Sequence, residues 1–279
     1  VGIAGMRLKN YPKAREALQR ARDLQVEHLP EIHLRVAETE RNLATVSLLA
    51  GDPQARALVA SANRIGLALL EQLVKNGTET ERLNFLERVD LVSLSCLLGK
   101  PELIANLLLA SKSRLLEQLI RPTRAGSSPT WQDVQVALKE DTVFIDFCRY
   151  SPPEESPQYG AILIQPEGTP EWFPLGSEPE LKGWLEALRS RLAWKVGTMS
   201  GNASKPPAFL MAGILRELHE FVLGPMDGAI PAHASRWLIS PDGLIHDVPF
   251  AALRDEHGRF LCDSLAMTTR VGSGRDILR

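Results

Sequence analysis

The hydrophobic residues of this chain change period near its middle, and that change restricts the fold more than any other feature. Up to about Ile120 they return at three- and four-residue steps, one stripe of a helix. Ala14, Ala17, Leu18, Ala21 and Leu24 form the first stripe. Asn10 is placed to cap it, and Pro12 suits a first turn, where no amide donor is needed. A second helical run lies between Glu31 and Ala50 and stops at Gly51-Asp52-Pro53. A third sets Leu58, Ala62, Ile65, Leu69 and Leu73 on one face and ends at Asn76-Gly77. Thr78 and Glu81 then have the spacing of a capping box for a fourth. Gly99-Lys100-Pro101 separates that helix from a fifth, carrying Ile104, Leu108, Leu115 and Leu119. Turns this short predict antiparallel helices packed side by side.

Arg121 to Pro129 is rich in Pro, Gly, Ser and Thr, the composition of a linker. Beyond it the apolar runs shorten. Val143 to Phe147 and Tyr159 to Ile164 read as strands, mostly β-branched or aromatic and bounded by turn residues. Helical spacing returns from Glu178 to Trp194 and from Ala208 to Val222, around a polar loop at Lys195 to Pro207. Arg236 to Ile239 is a further strand, entering Ser240-Pro241-Asp242-Gly243, where Pro presets one turn dihedral and Gly tolerates positive φ. A last strand spans Ala266 to Val271. The expected organisation is therefore an all-α region over 1–120, a linker over 121–130, and an α/β layer structure over 131–279.

A length of 279 residues suits one large domain or two ordinary ones, and 44% hydrophobic with 24% charged residues is typical of globular chains. Net charge is -2, so bulk electrostatics give no support for nucleic acid or an acidic membrane as partner. No apolar run read from the sequence approaches the roughly 20 residues of a membrane span. Cys96, Cys148 and Cys262 are too few and too scattered for a disulfide framework or a zinc site, which fits a reducing, cytoplasmic setting. The chain opens on Val1-Gly2 without methionine or signal peptide, consistent with a start further upstream, and Asn202-Ala203-Ser204 matches a sequon by chance.

Three segments of the second half resemble the CHAT family, caspase-related domains often preceded by tetratricopeptide-type helices. They are Asp146-Phe147-Cys148-Arg149-Tyr150; Trp237-Leu238-Ile239-Ser240-Pro241-Asp242-Gly243 running on to Val248-Pro249-Phe250-Ala251-Ala252-Leu253; and Ser273-Gly274-Arg275-Asp276-Ile277-Leu278. Gly258-Arg259-Phe260-Leu261 falls between the last two, and Ala110 to Leu116 resembles the helix that leads into such domains. Asn10-Tyr11-Pro12-Lys13-Ala14 with Ala17, Ala21 and Leu24 is similar to the second helix of a tetratricopeptide repeat. The later helices fit degenerate repeats or a dedicated bundle equally well.

The resemblance implies a caspase-like fold of which this chain holds the front half. In CHAT proteases the catalytic His-Gly motif and the later cysteine follow the segment ending here. A cysteine thiolate with a histidine partner is what such chemistry requires. The signature residues present, Asp146, Ser240, Pro241, Asp242, Gly243, Pro249, Phe250, Ser273, Gly274, Arg275 and Asp276, are structural, and the resemblance implies no cofactor and no metal. Relatives are often cut after a basic residue, which makes Arg279 the candidate processing site and the catalytic half the expected partner, as a second chain or as further sequence.

The residues themselves offer little rival chemistry. Cys148 ends an apolar strand beside Arg149, and Cys262 follows Phe260-Leu261; both suit packed, inert side chains, and Cys96 suits a helical core. His219-Glu220 lacks the second histidine of a zincin, and His246 suits solvent or loop backbone. Val271-Gly272-Ser273-Gly274 lacks the Lys-Ser/Thr of a phosphate loop, and Pro241-Asp242-Gly243 and Pro249-Phe250 read as hairpin and packing elements. The expected function is a regulatory helical region, binding a protein or peptide, joined to the non-catalytic half of a cysteine endopeptidase. The alternative is an inactive caspase-like scaffold that binds a partner protein or a nucleic-acid-guided complex. Half a sheet should expose an unpaired edge, so the chain is expected to copurify with a partner or with itself.

Overall fold

The structure is a computed structural model that describes residues 8–78, 80, 81, 85, 89–112, 129–197 and 208–278. The chain divides into two compact units, Val1–Lys100 with Ala110–Ser128, and Pro101–Leu109 with Pro129–Arg279.

The first unit is helical. Helix α1 is Tyr11–His28, α2 is Leu34–Leu49, α3 is Ala55–Asn76 and α4 is Ser93–Leu98. Asn10 caps α1 by accepting from the Lys13 amide at 3.3 Å, with Pro12 in the first turn as the sequence predicts. Gly99 closes α4 at a φ of +59°, a left-handed position where a Cβ would be strained. Thr78 and Glu81 make the reciprocal bonds of a capping box.

Ala14 and Leu18 of α1 pack on Leu43 and Val46 of α2. Val36 and Ala37 of α2 pack on Ile65, Leu69, Leu70 and Val74 of α3. Leu24 is 61% exposed, so the apolar stripe of α1 ends sooner than its spacing suggests. There an ion pair replaces it: Arg22 binds Glu40 of α2, whose side chain is almost wholly buried. Leu115 and Leu119 lie outside the described residues. Helix α3 is long and apolar enough, by length and composition, to cross a bilayer, which the sequence reading overlooked. Its buried side includes Asn63, which donates to Ser95 Oγ at 2.8 Å, and much of its apolar surface packs on α2.

The second unit is an α/β structure. It takes in the first nine residues of α5 (Pro101–Ser111), together with α6 (Trp131–Ala137). Its strands are β1 (Thr142–Tyr150), β2 (Gln158–Ile164), β3 (Glu171–Ser177), β4 (Arg236–Ser240) and β5 (Met267–Arg270). They form one mixed sheet in the order β3-β2-β1-β4-β5. β1, β2 and β3 run antiparallel to one another in sequence, whereas β4 and β5 run parallel to β1. Between β3 and β4 lie α7 (Glu178–Gly197) and α8 (Ala208–Val222); α9 (Leu261–Ser264) precedes β5.

Alternation along the central strand assigns the two faces. Val143, Ile145 and Phe147 of β1 join Ala161 and Leu163 of β2 and Ile239 of β4 on one face. Leu181, Leu185 and Leu188 of α7 and Leu218 and Val222 of α8 cover them. The other face carries Phe144, Asp146 and Cys148 and is covered by α5, α6 and the turn Gly274–Leu278. Thus the Trp131 amide donates to Asn106 of α5, and Gln135 of α6 donates to the Gln165 carbonyl just past β2. Covered on both faces, β1 has a nearly continuous apolar run rather than a clean alternation.

Two features depart from the sequence reading. β3 is a strand that the sequence concealed, because Pro174 and Gly176 break its β pattern. The Ser240-Pro241-Asp242-Gly243 turn does not close a hairpin. It leads through two 3-10 turns, Gly243–Asp247 and Phe250–Ala252, into a crossover, since β5 lies parallel to β4.

Candidate functional site

In open α/β sheets, chemistry gathers beyond the carboxyl ends of the parallel strands. Here those ends are the last residues of β1, β4 and β5, and the residues singled out from the sequence meet there in two polar networks, one on each face.

The first network begins where β1 outruns β4. On the side where β4 has ended, the Arg149 amide donates to Asp242 Oδ2 at 2.8 Å, so a side chain continues the ladder there. The Arg149 guanidinium forms a two-point ion pair with Glu178 at the start of α7, its Nη2 lying 3.2 Å from Oε1. Tyr159 Oη donates to Glu178 Oε2 at 3.2 Å and accepts from the Leu244 amide at 2.8 Å. Tyr159 is fully buried, and burial pushes its hydroxyl up to about 12. Gly243 sits against this hydroxyl at a φ of +50°.

The second network lies on the opposite face. Asp146 is paired in register with Ser240, and both are buried. Ser240 Oγ donates to the Gly272 carbonyl at 3.3 Å, tying β4 to the segment after β5. Asp276 turns back to accept from the Gly272 and Ser273 amides at 2.8 and 3.3 Å. Ser273 Oγ accepts from the Arg275 amide, and Arg275 Nη1 donates to the Leu109 carbonyl of α5. Gly274 is held so close to Leu109 and Phe144 that a Cβ would collide with both.

Phe250 packs on Phe147 with ring centroids 5.7 Å apart, and Arg270 lies over the Phe250 ring while donating to the His246 and Val248 carbonyls. These bonds fix the path of the chain from Gly243 to Pro249. Ser240, Asp242, Gly243, Phe250, Ser273, Gly274, Arg275 and Asp276 thereby take part in turn formation, packing or strand tethering. Arg279 lies outside the described residues.

Nucleophile chemistry finds no easy footing here. Cys148 is 1% exposed within a strand covered on both faces, so no substrate reaches it without opening the sheet, and Cys96 is buried in α4. Cys262 is exposed, contrary to the packed position its neighbours suggested, because α9 buries Leu261 and turns the next side chain outward. His246 is exposed. No group of three His, Cys, Asp or Glu side chains among the described residues could hold a metal ion.

Sequence reasoning missed Glu178 and Tyr159 as partners of Arg149. The available signal was a tyrosine in a strand that must be buried, whose hydroxyl then needs a partner. The Arg149 ion pair holds the Glu178 carboxyl below its usual range. Such a depressed carboxylate contributes stability above the ordinary glutamate range, and that contribution is lost as pH falls through the folded value. The expected result is a drop in denaturant midpoint below about pH 4.5 that is shallower in Glu178→Gln. Identical slopes for the two proteins in urea titrations between neutral and acid pH would discount the pair.

The fold and this junction define an α/β unit with a mixed five-stranded sheet and an N-terminal helical region. No family model and no curated protein matches the chain.

Proposed function

We propose that this chain is the regulatory helical region and the non-catalytic front half of a CHAT-type, caspase-like cysteine endopeptidase. One observation carries the reading: Asp146, Ser240, Asp242, Gly243 and Ser273 to Asp276 lie far apart in sequence and converge where the parallel strands end. On this reading the junction is a frame, and the thiol and imidazole that perform proteolysis come from the catalytic half.

The helical region then supplies the input. Its helices offer a surface for a protein or peptide, whose binding biases the attached protease half.

The test is active-site labelling with a peptidyl acyloxymethyl ketone ending in arginine. The 279-residue chain should not be labelled. The natural polypeptide carrying it should be labelled at one cysteine outside residues 1–279. Labelling of Cys148 or Cys262 would overturn the proposal. A natural polypeptide with no labelled cysteine favours the inactive scaffold instead, whose work is partner binding alone.

A further inference from the structure

We draw no further inference here: the strongest candidate, the buried imidazole of His219 on α8 with the neighbouring carboxylates of Glu220, Asp227, Asp255 and Glu256, is an acidic cluster in which no three side chains among the described residues are placed to hold a metal ion, and nothing in the structure shows what ligand it would take.

Discussion

Replacing Gly243 by alanine is expected to destabilise the α/β unit by about 2–4 kcal/mol, the sum of a left-handed backbone position and a steric collision. Gly243 stands at a φ of +50°, and an added Cβ would fall inside the envelope of Tyr159 Oη and 3.3 Å from its Cζ. That hydroxyl cannot simply withdraw. It accepts from the Leu244 amide and donates to Glu178, which is itself held by Arg149.

The two causes separate in a double-mutant cycle. Tyr159→Phe removes the colliding oxygen but leaves the Leu244 amide without its acceptor, a loss of about 1–3 kcal/mol. In the phenylalanine background Gly243→Ala should therefore cost about 1–2 kcal/mol, the strain alone. Urea unfolding of the four proteins reads the coupling. Strict additivity would mean that the hydroxyl does not limit the turn, and the account of this network would fail.

Phe144→Ala is expected to cost about 3–5 kcal/mol, the range for emptying a buried aromatic site. Phe144 is fully buried in the central strand, on the face where Gly274 approaches its ring edge. The effect should extend beyond stability. The Gly274–Leu278 turn rests on this ring, so the amides of Arg275 and Asp276 should exchange faster in the variant, while those of β2 follow only the global loss. A cost near 1 kcal/mol, typical of a site that collapses around the gap, would show that the turn does not rest on Phe144.

Much of the fold can be read from the order of residues. The step from a period near 3.6 to short β-branched runs marked the passage from the helical to the α/β part. α8 falls at Ala208–Val222, as its spacing predicts, and β4 and β5 lie within a residue of their expected ends. Pro12, Gly51 and Gly99 punctuate the helices because each sets local dihedrals that no distant contact must supply.

The candidate site was legible in part. Asp242 and Gly243 stood out as a turn, but nothing in their neighbourhood names Arg149 or Tyr159, which come from strands about 90 residues earlier and meet them only when β1 and β4 pair. Likewise Asp276 reads as a turn residue, yet Arg275 reaches the Leu109 carbonyl, 166 residues away in sequence. Glu178 looked like an ordinary acidic residue at a helix start. Only the crossing of α7 over the end of β1 gives it Arg149 as a partner.

The sequence by itself determined the local elements: where helices start and stop, which runs are strands, and which turn positions require glycine or proline. These depend on dihedral preferences and on the spacing of apolar side chains, both carried by adjacent residues. Tertiary structure alone decided that β3 is a strand despite its proline, because an edge position spares it one set of hydrogen bonds. It also decided that residues 101–109 belong with the α/β unit and that β5 runs parallel to β4. Pairing order and strand direction depend on contacts between segments tens of residues apart, and apolar period, which is local, carries no record of them.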